Sequence, residues 1–300
     1  MQDFIHYSNC PVCNSIEIGQ HLLAKDATVS GTYFSIWHCK QCSFRFTQDI
    51  PVMDAIGAFY QSDDYVSHSD TKKGLIHKLY HLVRNHTLQT KCALVVAETG
   101  KSVGKMLDVG AGTGAFSKTM KDAGWDVTGL EPDDTARKLA FEKNGLTLQN
   151  PNDLYSMPSN QFDAICLWHV LEHVHDLKGY IENFHRILNQ HGKLLIAVPN
   201  YTSDDAATYG AFWAAYDVPR HLYHFSPDSM KTLANKYGFE LKAMKPMWFD
   251  SFYVSMLSEK CKTGKTHMIP AIWNGLVSNL KALMNKERCS SIIYILSKRA

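Results

Sequence analysis

The sequence predicts an α/β fold with a mostly parallel sheet that is covered by helices on both faces. Between residues 105 and 199, near-continuous apolar runs alternate with helical patterns, as in sheets whose strands are buried on both sides. One apolar run ends in an acid and a glycine-rich turn, MLDVGAGTGAF at 106–116, and the next ends in another acid, VTGLEP at 127–132. This order of strand, tight loop, helix and strand is typical of a nucleoside-binding unit.

The individual elements follow from the apolar patterns and from the residues that interrupt them. Gly124 and Gly145 close the first two helices, and Pro199 stops a buried strand. Ser226 and Pro227 open a later helix as a cap followed by proline in the first turn. We predict strands over residues 105–109, 125–130, 146–149, 162–168, 193–198, 240–244 and 291–297, helices over 115–123, 133–144, 180–188, 226–237 and 268–285, and a turn over 189–192.

The composition excludes several classes of protein. Of 300 residues, 45% are apolar, which is ample for a packed core, and the net charge of +2 without a basic block argues against a nucleic-acid partner. No apolar run reaches the roughly 18–20 residues of a transmembrane helix. The first residues also lack the pattern of a signal peptide. We therefore expect a cytoplasmic protein.

Two CxxC pairs occur in the first 50 residues. Cys10 and Cys13 form one pair, and Cys39 and Cys42 form the other, about 25 residues later. Four thiolates on two tight turns make a closed tetrahedral site, which is typical of structural zinc. A thioredoxin-like redox pair is the alternative, although it requires a single CxxC at a helix start. We predict a zinc-ribbon-like module over residues 1–50 with one structural zinc ion.

Residues 51–104 are predicted to form a helical arm and linker in front of a domain that spans residues 105–300. The apolar stripe of the arm contains Leu75, Leu79, Leu82 and Val83. Within the domain, residues 246–288 form a helical, lid-like insertion, and the apolar stripe of its helix is expected to pack onto the domain. A lid, a dimer face or a membrane-surface contact are the alternatives. This stripe contains Ile269, Ile272, Trp273, Leu276, Val277, Leu280, Leu283 and Met284.

The glycine-rich loop alone does not distinguish a nicotinamide cofactor from S-adenosylmethionine. Gly110 and Gly112 let the backbone approach a ligand, and a GxGxxG/A dinucleotide pattern also fits here with Ala115. Two acids favour S-adenosylmethionine. A carboxylate at Asp108 suits the cationic amino group of a methionine moiety and would repel a pyrophosphate, and Glu131 can accept both ribose hydroxyls.

Five blocks of sequence make the chain resemble class I S-adenosylmethionine-dependent methyltransferases over about residues 60–239. The blocks are LDVGAGTG, VTGLEP, FDAICLWHVLEHV (162–174), FHRILNQHGKLLIAVPN (184–200) and DVPRHLYHFSP (217–227). The last three are similar to the branch called methyltransferase type 12, which is related to quinone O-methyltransferases. The resemblance implies a Rossmann-like sheet of seven strands whose last strand is antiparallel.

The resemblance also implies which residues bind the cofactor. Asp108 and the loop backbone would hold the methionine end, and Glu131 would take the ribose. Asp153 and Leu154 match a pair that contacts the adenine. The predicted cofactor-binding set is Asp108, Gly110, Ala111, Gly112, Glu131, Pro132, Asp153, Leu154, Trp168 and His169. Trp168 and His169 belong to it because they end a buried strand at the sheet edge where ligands bind.

His169 is the first candidate for a catalytic base, because imidazole titrates near neutrality and a hydroxyl acceptor must lose a proton. Local packing is the alternative. Glu172 and His173 are interpreted as residues that shape the following turn, and Arg220 as a structural ion-pair partner rather than a substrate ligand. The aromatic residues that either cover the cofactor, as in relatives, or pack the arm onto the domain are Phe59, Tyr60 and Tyr65.

These observations predict a methyltransferase that moves a methyl group to an O- or C-nucleophile of a small molecule, such as a quinone precursor, a sugar or another metabolite. Some sugar C-methyltransferases also join a four-cysteine zinc module to this fold. Two alternatives stay open, a non-catalytic protein that binds a partner through its zinc ribbon and an NAD-dependent oxidoreductase. We expect a small-molecule methyl acceptor as partner, and a homodimer is also open.

Overall fold

The computed structural model describes residues 4–61 and 75–299, with side chains from residue 83 onward in the second range. Tyr65 and the side chains of Leu75, Leu79 and Leu82 lie outside the described residues. The strands are β1 Phe4–Ile5, β2 Ile18–Lys25, β3 Tyr33–Cys39, β4 Arg45–Thr47, β5 Ile50–Pro51, β6 Lys105–Val109, β7 Asp126–Leu130, β8 Phe162–Trp168, β9 Leu188–Pro199, β10 Tyr223–His224, β11 Phe239–Pro246 and β12 Ser291–Lys298. The helices are α1 Met53–Ile56, α2 Leu75–Thr99, α3 Ala115–Asp122, α4 Asp134–Asn144, α5 Leu177–Ile187, α6 Asp204–Tyr209, α7 Pro227–Lys236, α8 Asp250–Thr263 and α9 Met268–Met284.

The main sheet contains six strands from the described residues, in the order β11-β12-β9-β8-β6-β7. β7, β6, β8 and β9 are parallel neighbours, whereas β12 lies between β9 and β11 and is antiparallel to both. Leu107, Ile165 and Ile196 are fully buried at the middle of their strands, as expected for a sheet covered on both faces. The predicted mostly parallel sheet with an antiparallel late strand is confirmed.

The predicted strand over residues 146–149 is reduced to a single parallel bridge between Leu130 and Gln149. The extended segment stops there because Asn150 caps a 3₁₀ helix that begins at Pro151, a residue with no N–H to donate to a neighbouring strand. The described part of the sheet therefore has six strands instead of the seven that the resemblance implies.

Residues 189–192, predicted as a turn, fall inside β9 but pair with no residue of β8. α5 ends at Ile187, and Leu188 already has extended backbone angles and pairs with Phe162 of β8. The next pair is Ala164 with Lys193, so the register shifts here. The four residues of β9 between the two pairs form an irregularity.

The N-terminal module shares its core with the later domain. β2, β3 and β4 form an antiparallel sheet, and β10 pairs with β4 at its edge. Phe44 and Phe46 are buried in one hydrophobic cluster with Leu222, Tyr223 and Phe225. The module is therefore packed against the segment that follows the sheet strand β9.

The insertion between β11 and β12 consists of α8 and α9. The buried residues of α9 are small: Ala271, Gly275, Ser278 and Ala282. A Cβ at Gly275 would lie 2.7 Å from the ring of Phe252, so glycine lets the two helices approach closely. The expectation that the apolar stripe packs onto the domain is wrong, because Ile269, Trp273, Leu280, Leu283 and Met284 are between 53% and 85% exposed. None of the described helices is long and apolar enough to span a bilayer.

Candidate active site and metal centre

The glycine-rich loop connects β6 to α3 and lies beside the end of β7. The backbone N–H groups of Gly110 and Ala111 both donate to the carbonyl of Leu130, at 2.8 and 2.9 Å. Gly110 has a φ of 71°, and a Cβ there would lie 2.4 Å from Cγ2 of Val170. The left-handed backbone and the close approach of Val170 both require glycine at this position.

Glu131 follows β7 and is only 8% exposed. One carboxylate oxygen accepts the Gly112 N–H at 2.7 Å, and the other accepts the Asp133 N–H at 3.0 Å. Burial raises the pKa of Glu131, while these two backbone donors oppose the rise. Each oxygen keeps a lone pair, so the carboxylate can accept further hydrogen bonds. The carbonyl of the next residue, Pro132, accepts a bond from Arg137 at 2.9 Å.

Asp108 is 1% exposed within β6, and its carboxylate accepts the hydroxyl of Ser117 at 2.6 Å. Burial raises the pKa of Asp108 to about 6, and the Ser117 hydroxyl and the positive charge of Lys91 limit that rise. The Lys91 ammonium lies 4.3 Å from the ring centroid of Trp168 at the end of β8. Asp108 is therefore a buried carboxylate with one nearby lysine.

Asp153 and Leu154 lie in the 3₁₀ helix Pro151–Ser156, near the end of β7. The Glu131 N–H donates to the Gln149 carbonyl at 3.0 Å, which fixes the chain just before this helix. Leu154 is fully buried, whereas Asp153 is exposed and bonds the backbone N–H that precedes the helix. The segment predicted to contact adenine and the carboxylate predicted to bind ribose are neighbours.

His169 follows β8 and lies between two carboxylates. Its Nδ1 is 3.4 Å from Oε1 of Glu172, and its Nε2 is 3.0 Å from Oδ2 of Asp250. Burial would lower the pKa of His169, but the two carboxylates outweigh burial and raise this pKa to about 10. The ring is therefore charged at neutral pH while both partners stay in place. His169 also has a φ of 59°, which is uncommon for a residue other than glycine and is found at functional sites.

Two charged residues at the site, Lys91 and Asp250, are absent from the sequence prediction. Lys91 lies on α2, in front of the first motif block, and Asp250 begins α8 inside the insertion. An acid in the first turn of a helix is ordinary, because it interacts favourably with the helix dipole. Only the folding of distant segments onto the edge of the sheet places these two charges near His169 and Asp108.

Arg220 is 1% exposed and forms the structural ion pair that the sequence predicts. Its guanidinium lies 2.7 Å from Asp217 and 3.0 Å from Asp26, and it donates to the carbonyl of Phe59 at 2.7 Å. Asp26 follows β2 of the N-terminal module. Arg220 therefore links that module and the arm to the segment after β9.

The four cysteines of the two CxxC pairs converge. The sulfur of Cys10 lies 3.6 Å from that of Cys42, the sulfur of Cys13 lies 3.5 Å from that of Cys39, and all four are within 4.8 Å of one another. Zinc–sulfur bonds of about 2.3 Å in a tetrahedron place sulfurs about 3.8 Å apart. The four thiols are free, and their spacing fits a closed zinc site.

An antiparallel β12 inserted beside β9, with acids at the ends of β6 and β7 around a glycine loop, defines the class I S-adenosylmethionine-dependent methyltransferases. The chain belongs to a family described as a methyltransferase domain, which matches residues 84–243. The predicted enzyme class is confirmed, and the oxidoreductase alternative is wrong.

The comparisons with individual proteins agree with this family. The chain is 25% identical over 182 residues to demethylmenaquinone methyltransferase of Tropheryma whipplei (strain Twist), which covers 59% of this chain and 72% of the relative. It is 30% identical over 164 residues to ubiquinone biosynthesis O-methyltransferase of Haemophilus ducreyi, with 49% and 69% covered. The structure of magnesium protoporphyrin IX methyltransferase from Synechocystis PCC 6803 with bound SAH is 14% identical, with a TM-score of 0.50 and 77% and 91% covered, and at this identity it shows the fold alone.

Proposed function

We propose that this chain transfers a methyl group from S-adenosylmethionine to a hydroxyl oxygen of a small phenol- or quinol-type molecule. The proposal is carried by the two buried acids, Asp108 and Glu131, at the ends of adjacent parallel strands beside the glycine loop. The names of two relatives, a demethylmenaquinone methyltransferase and a ubiquinone biosynthesis O-methyltransferase, support an acceptor of this class.

The described residues fit the cofactor. Asp108 would hold the methionine amino group, and Glu131 would bind the ribose hydroxyls with its remaining lone pairs. A Cβ at Gly112 would meet no atom within 4 Å, so the loop backbone is open to a ligand at this position. Asp153 and Leu154 would contact the adenine. When bound, S-adenosylmethionine supplies an activated methyl group on its sulfonium.

His169 is the proposed acceptor of the hydroxyl proton. Glu172 is fully buried and faces Nδ1, so it orients the ring, whereas Asp250 occupies Nε2. An acceptor hydroxyl would reach Nε2 when Asp250 moves away with the start of α8. As Asp250 leaves, the charged ring would first lose its Nε2 proton to solvent. The neutral His169 would then take the hydroxyl proton as the oxygen is aligned for attack, and orientation and exclusion of water would supply much of the rate.

The function is tested by a methyl-transfer assay with isotopically labelled S-adenosylmethionine and a panel of phenols, catechols and quinols. We expect labelled O-methyl products. We also expect S-adenosylmethionine and its demethylated product, but not NAD, to raise the melting temperature. No labelled product from the panel or from a metabolite extract would contradict the proposal.

The four-cysteine cluster favours a second candidate, C-methylation of a sugar, because this module also accompanies the fold in some sugar C-methyltransferases. The same labelled cofactor tests it with nucleotide-linked sugars as acceptors. Label on a sugar carbon would favour this candidate, and label on a phenolic oxygen would favour the first.

Replacement of His169 by alanine should lower kcat by about 10²–10⁴-fold, because a positioned base contributes a factor of this size. The dissociation constant of S-adenosylmethionine should change by less than about threefold, since Asp108 and Glu131 are untouched. Steady-state kinetics and calorimetric titration measure the two quantities. His191→Ala, at an exposed histidine, is the matched control. A kcat equal to that of the control would remove His169 from the mechanism.

The affinity for S-adenosylmethionine should fall as the pH drops below about 6. The pKa of Asp108 is raised to about 6, so the carboxylate that would pair with the ligand's ammonium is charged above this pH and neutral below it. The dissociation constant should rise by at most about tenfold per pH unit below the midpoint. Calorimetric titration between about pH 5 and 8 measures it.

Ser117→Ala provides a test of the cause. The Ser117 hydroxyl donates to Asp108 and stabilises the charged form, so its removal should move the midpoint to higher pH. If the affinity for S-adenosylmethionine is constant over this pH range, or if the midpoint is unchanged in Ser117→Ala, then Asp108 does not cause the pH dependence.

A further inference from the structure

A second group of metal-ligating side chains lies next to His169. Glu172 and His173 belong to the 3₁₀ helix after β8, and His221 belongs to the segment before β10. One ligand atom of each residue lies within 4.8 Å of the ligand atoms of the other two. All three residues lie in motif blocks of the sequence, and Glu172 also faces His169, but the proposed cofactor site does not explain why the three meet.

Both imidazoles are held in one tautomer. Nδ1 of His173 is 3.0 Å from the carbonyl oxygen of Arg220, and Nδ1 of His221 is 2.8 Å from the carbonyl oxygen of Ala215. A carbonyl only accepts, so each Nδ1 carries the proton and donates it. In the neutral ring each Nε2 therefore has a lone pair, and Nε2 of His221 also lies 4.0 Å from Oδ2 of Asp217. Metal-binding histidines are typically oriented in this way, with the other ring nitrogen donating to a backbone carbonyl.

Glu172 supplies the third ligand, a buried carboxylate without hydrogen bonds. The residue is fully buried, and within the described part of the chain neither carboxylate oxygen accepts a hydrogen bond. The ion-pair contact to Nδ1 of His169, at 3.4 Å, lies outside hydrogen-bond geometry. Burying a polar group without hydrogen bonds is costly. A cation bound by Glu172 and the two imidazoles would satisfy this carboxylate.

We propose that Glu172, His173 and His221 bind a divalent first-row transition metal ion. Two imidazole nitrogens and one carboxylate are the ligand set of open zinc and iron sites, whereas magnesium and calcium prefer oxygen ligands. Three protein ligands leave at least one coordination position free, unlike the closed four-cysteine site.

The metal site is placed to bind the methyl acceptor, an extension that rests on the proposed function. Glu172, one of the proposed ligands, faces Nδ1 of His169 at 3.4 Å, so an oxygen in the free position would lie near this ring on its Nδ1 side, whereas Nε2 faces Asp250. A metal ion binds a phenolate or catecholate oxygen more strongly than the protonated hydroxyl, and it would favour loss of the proton there. The acceptor class would then be a molecule with a hydroxyl able to coordinate a metal ion.

The site is tested by binding of Mn²⁺ to the full chain in the absence of cofactor and acceptor. Dialysis against a mild chelator first empties the open site while the closed cysteine site keeps its zinc. Mn²⁺ does not displace that zinc, because it is the weakest binder of the divalent series and thiolates prefer softer metals. The loss of the electron paramagnetic resonance signal of free Mn²⁺ measures binding. We expect about one Mn²⁺ per chain.

Two ligand variants and a control decide whether this group of residues binds it. His221→Gln and Glu172→Gln should each raise the Mn²⁺ dissociation constant at least about tenfold, while the exposed His191→Gln control should bind like the parent. Thermal melting confirms that each variant is folded, and His221→Gln decides the question if Glu172→Gln is not. Absence of Mn²⁺ binding by the parent, or equal binding by folded His221→Gln and the control, overturns the proposal. Because no methyl transfer is measured, this outcome is independent of the proposed function.

Discussion

Replacement of Cys39 by serine is expected to release the predicted zinc ion from the four-cysteine site and to unfold the N-terminal module. Three of the ten buried apolar residues between positions 4 and 51 are the site cysteines Cys10, Cys39 and Cys42, so the module has little core besides the metal site. Zinc binding contributes about 10–16 kcal/mol of folding free energy in peptides of this kind. Part of that loss should be offset by the contacts of Phe44 and Phe46 with the later domain.

Elemental analysis and thermal melting measure the result. The parent should retain about one zinc per chain after mild chelation, and Cys39→Ser should retain markedly less and melt at a lower temperature. Cys261→Ser is the matched control, because Cys261 is a partly buried cysteine on α8 outside the cluster. A Cys39→Ser variant with the zinc content and melting temperature of Cys261→Ser would show that the cysteines do not form a structural zinc site.

The strands that surround the candidate site could be predicted from local sequence. β6 and β8 have the bounds expected from their apolar runs, because Gly104 and Gly110 flank the first run and Gln161 and His169 flank the second. The end of the extended segment at Gln149 was harder to predict from the sequence. Its apolar pattern favours a strand, whereas Asn150 favours the start of a helix. Where two local signals compete, tertiary packing decides which one wins.

The contact of Asp250 with His169 and the orientation of α9 could not be predicted. Asp250 reaches His169 only through the packing of the insertion. The periodicity of α9 identifies two faces but not which of them is buried, and the face with Gly275 packs because its small residues allow close contact with α8. The predicted homodimer remains a prediction, and the exposed apolar face of α9 is a surface on which it could form.

Replacement of Arg220 by alanine is expected to lower the free energy of unfolding by about 3–5 kcal/mol, because it leaves buried carboxylates without their cation. Asp26 is 1% exposed and would lose the guanidinium 3.0 Å away, and Asp217 would lose a contact at 2.7 Å. Arg220→Lys should recover only part of the loss, since an ammonium cannot bond both carboxylates and the Phe59 carbonyl in the same geometry.

Urea denaturation of Arg220→Ala, with Arg84→Ala at an exposed arginine of α2 as control, measures the difference. A double-mutant cycle with Asp26→Asn separates the ion pair from lost packing. The coupling should be at least about 1 kcal/mol, because the two side chains meet where solvent does not screen them. If Arg220→Ala loses no more stability than Arg84→Ala, or if the cycle shows no coupling, then Arg220 does not hold the N-terminal module against the segment that contains His221. In that case the stability of the N-terminal module would not affect the segment that carries His221 of the candidate metal site.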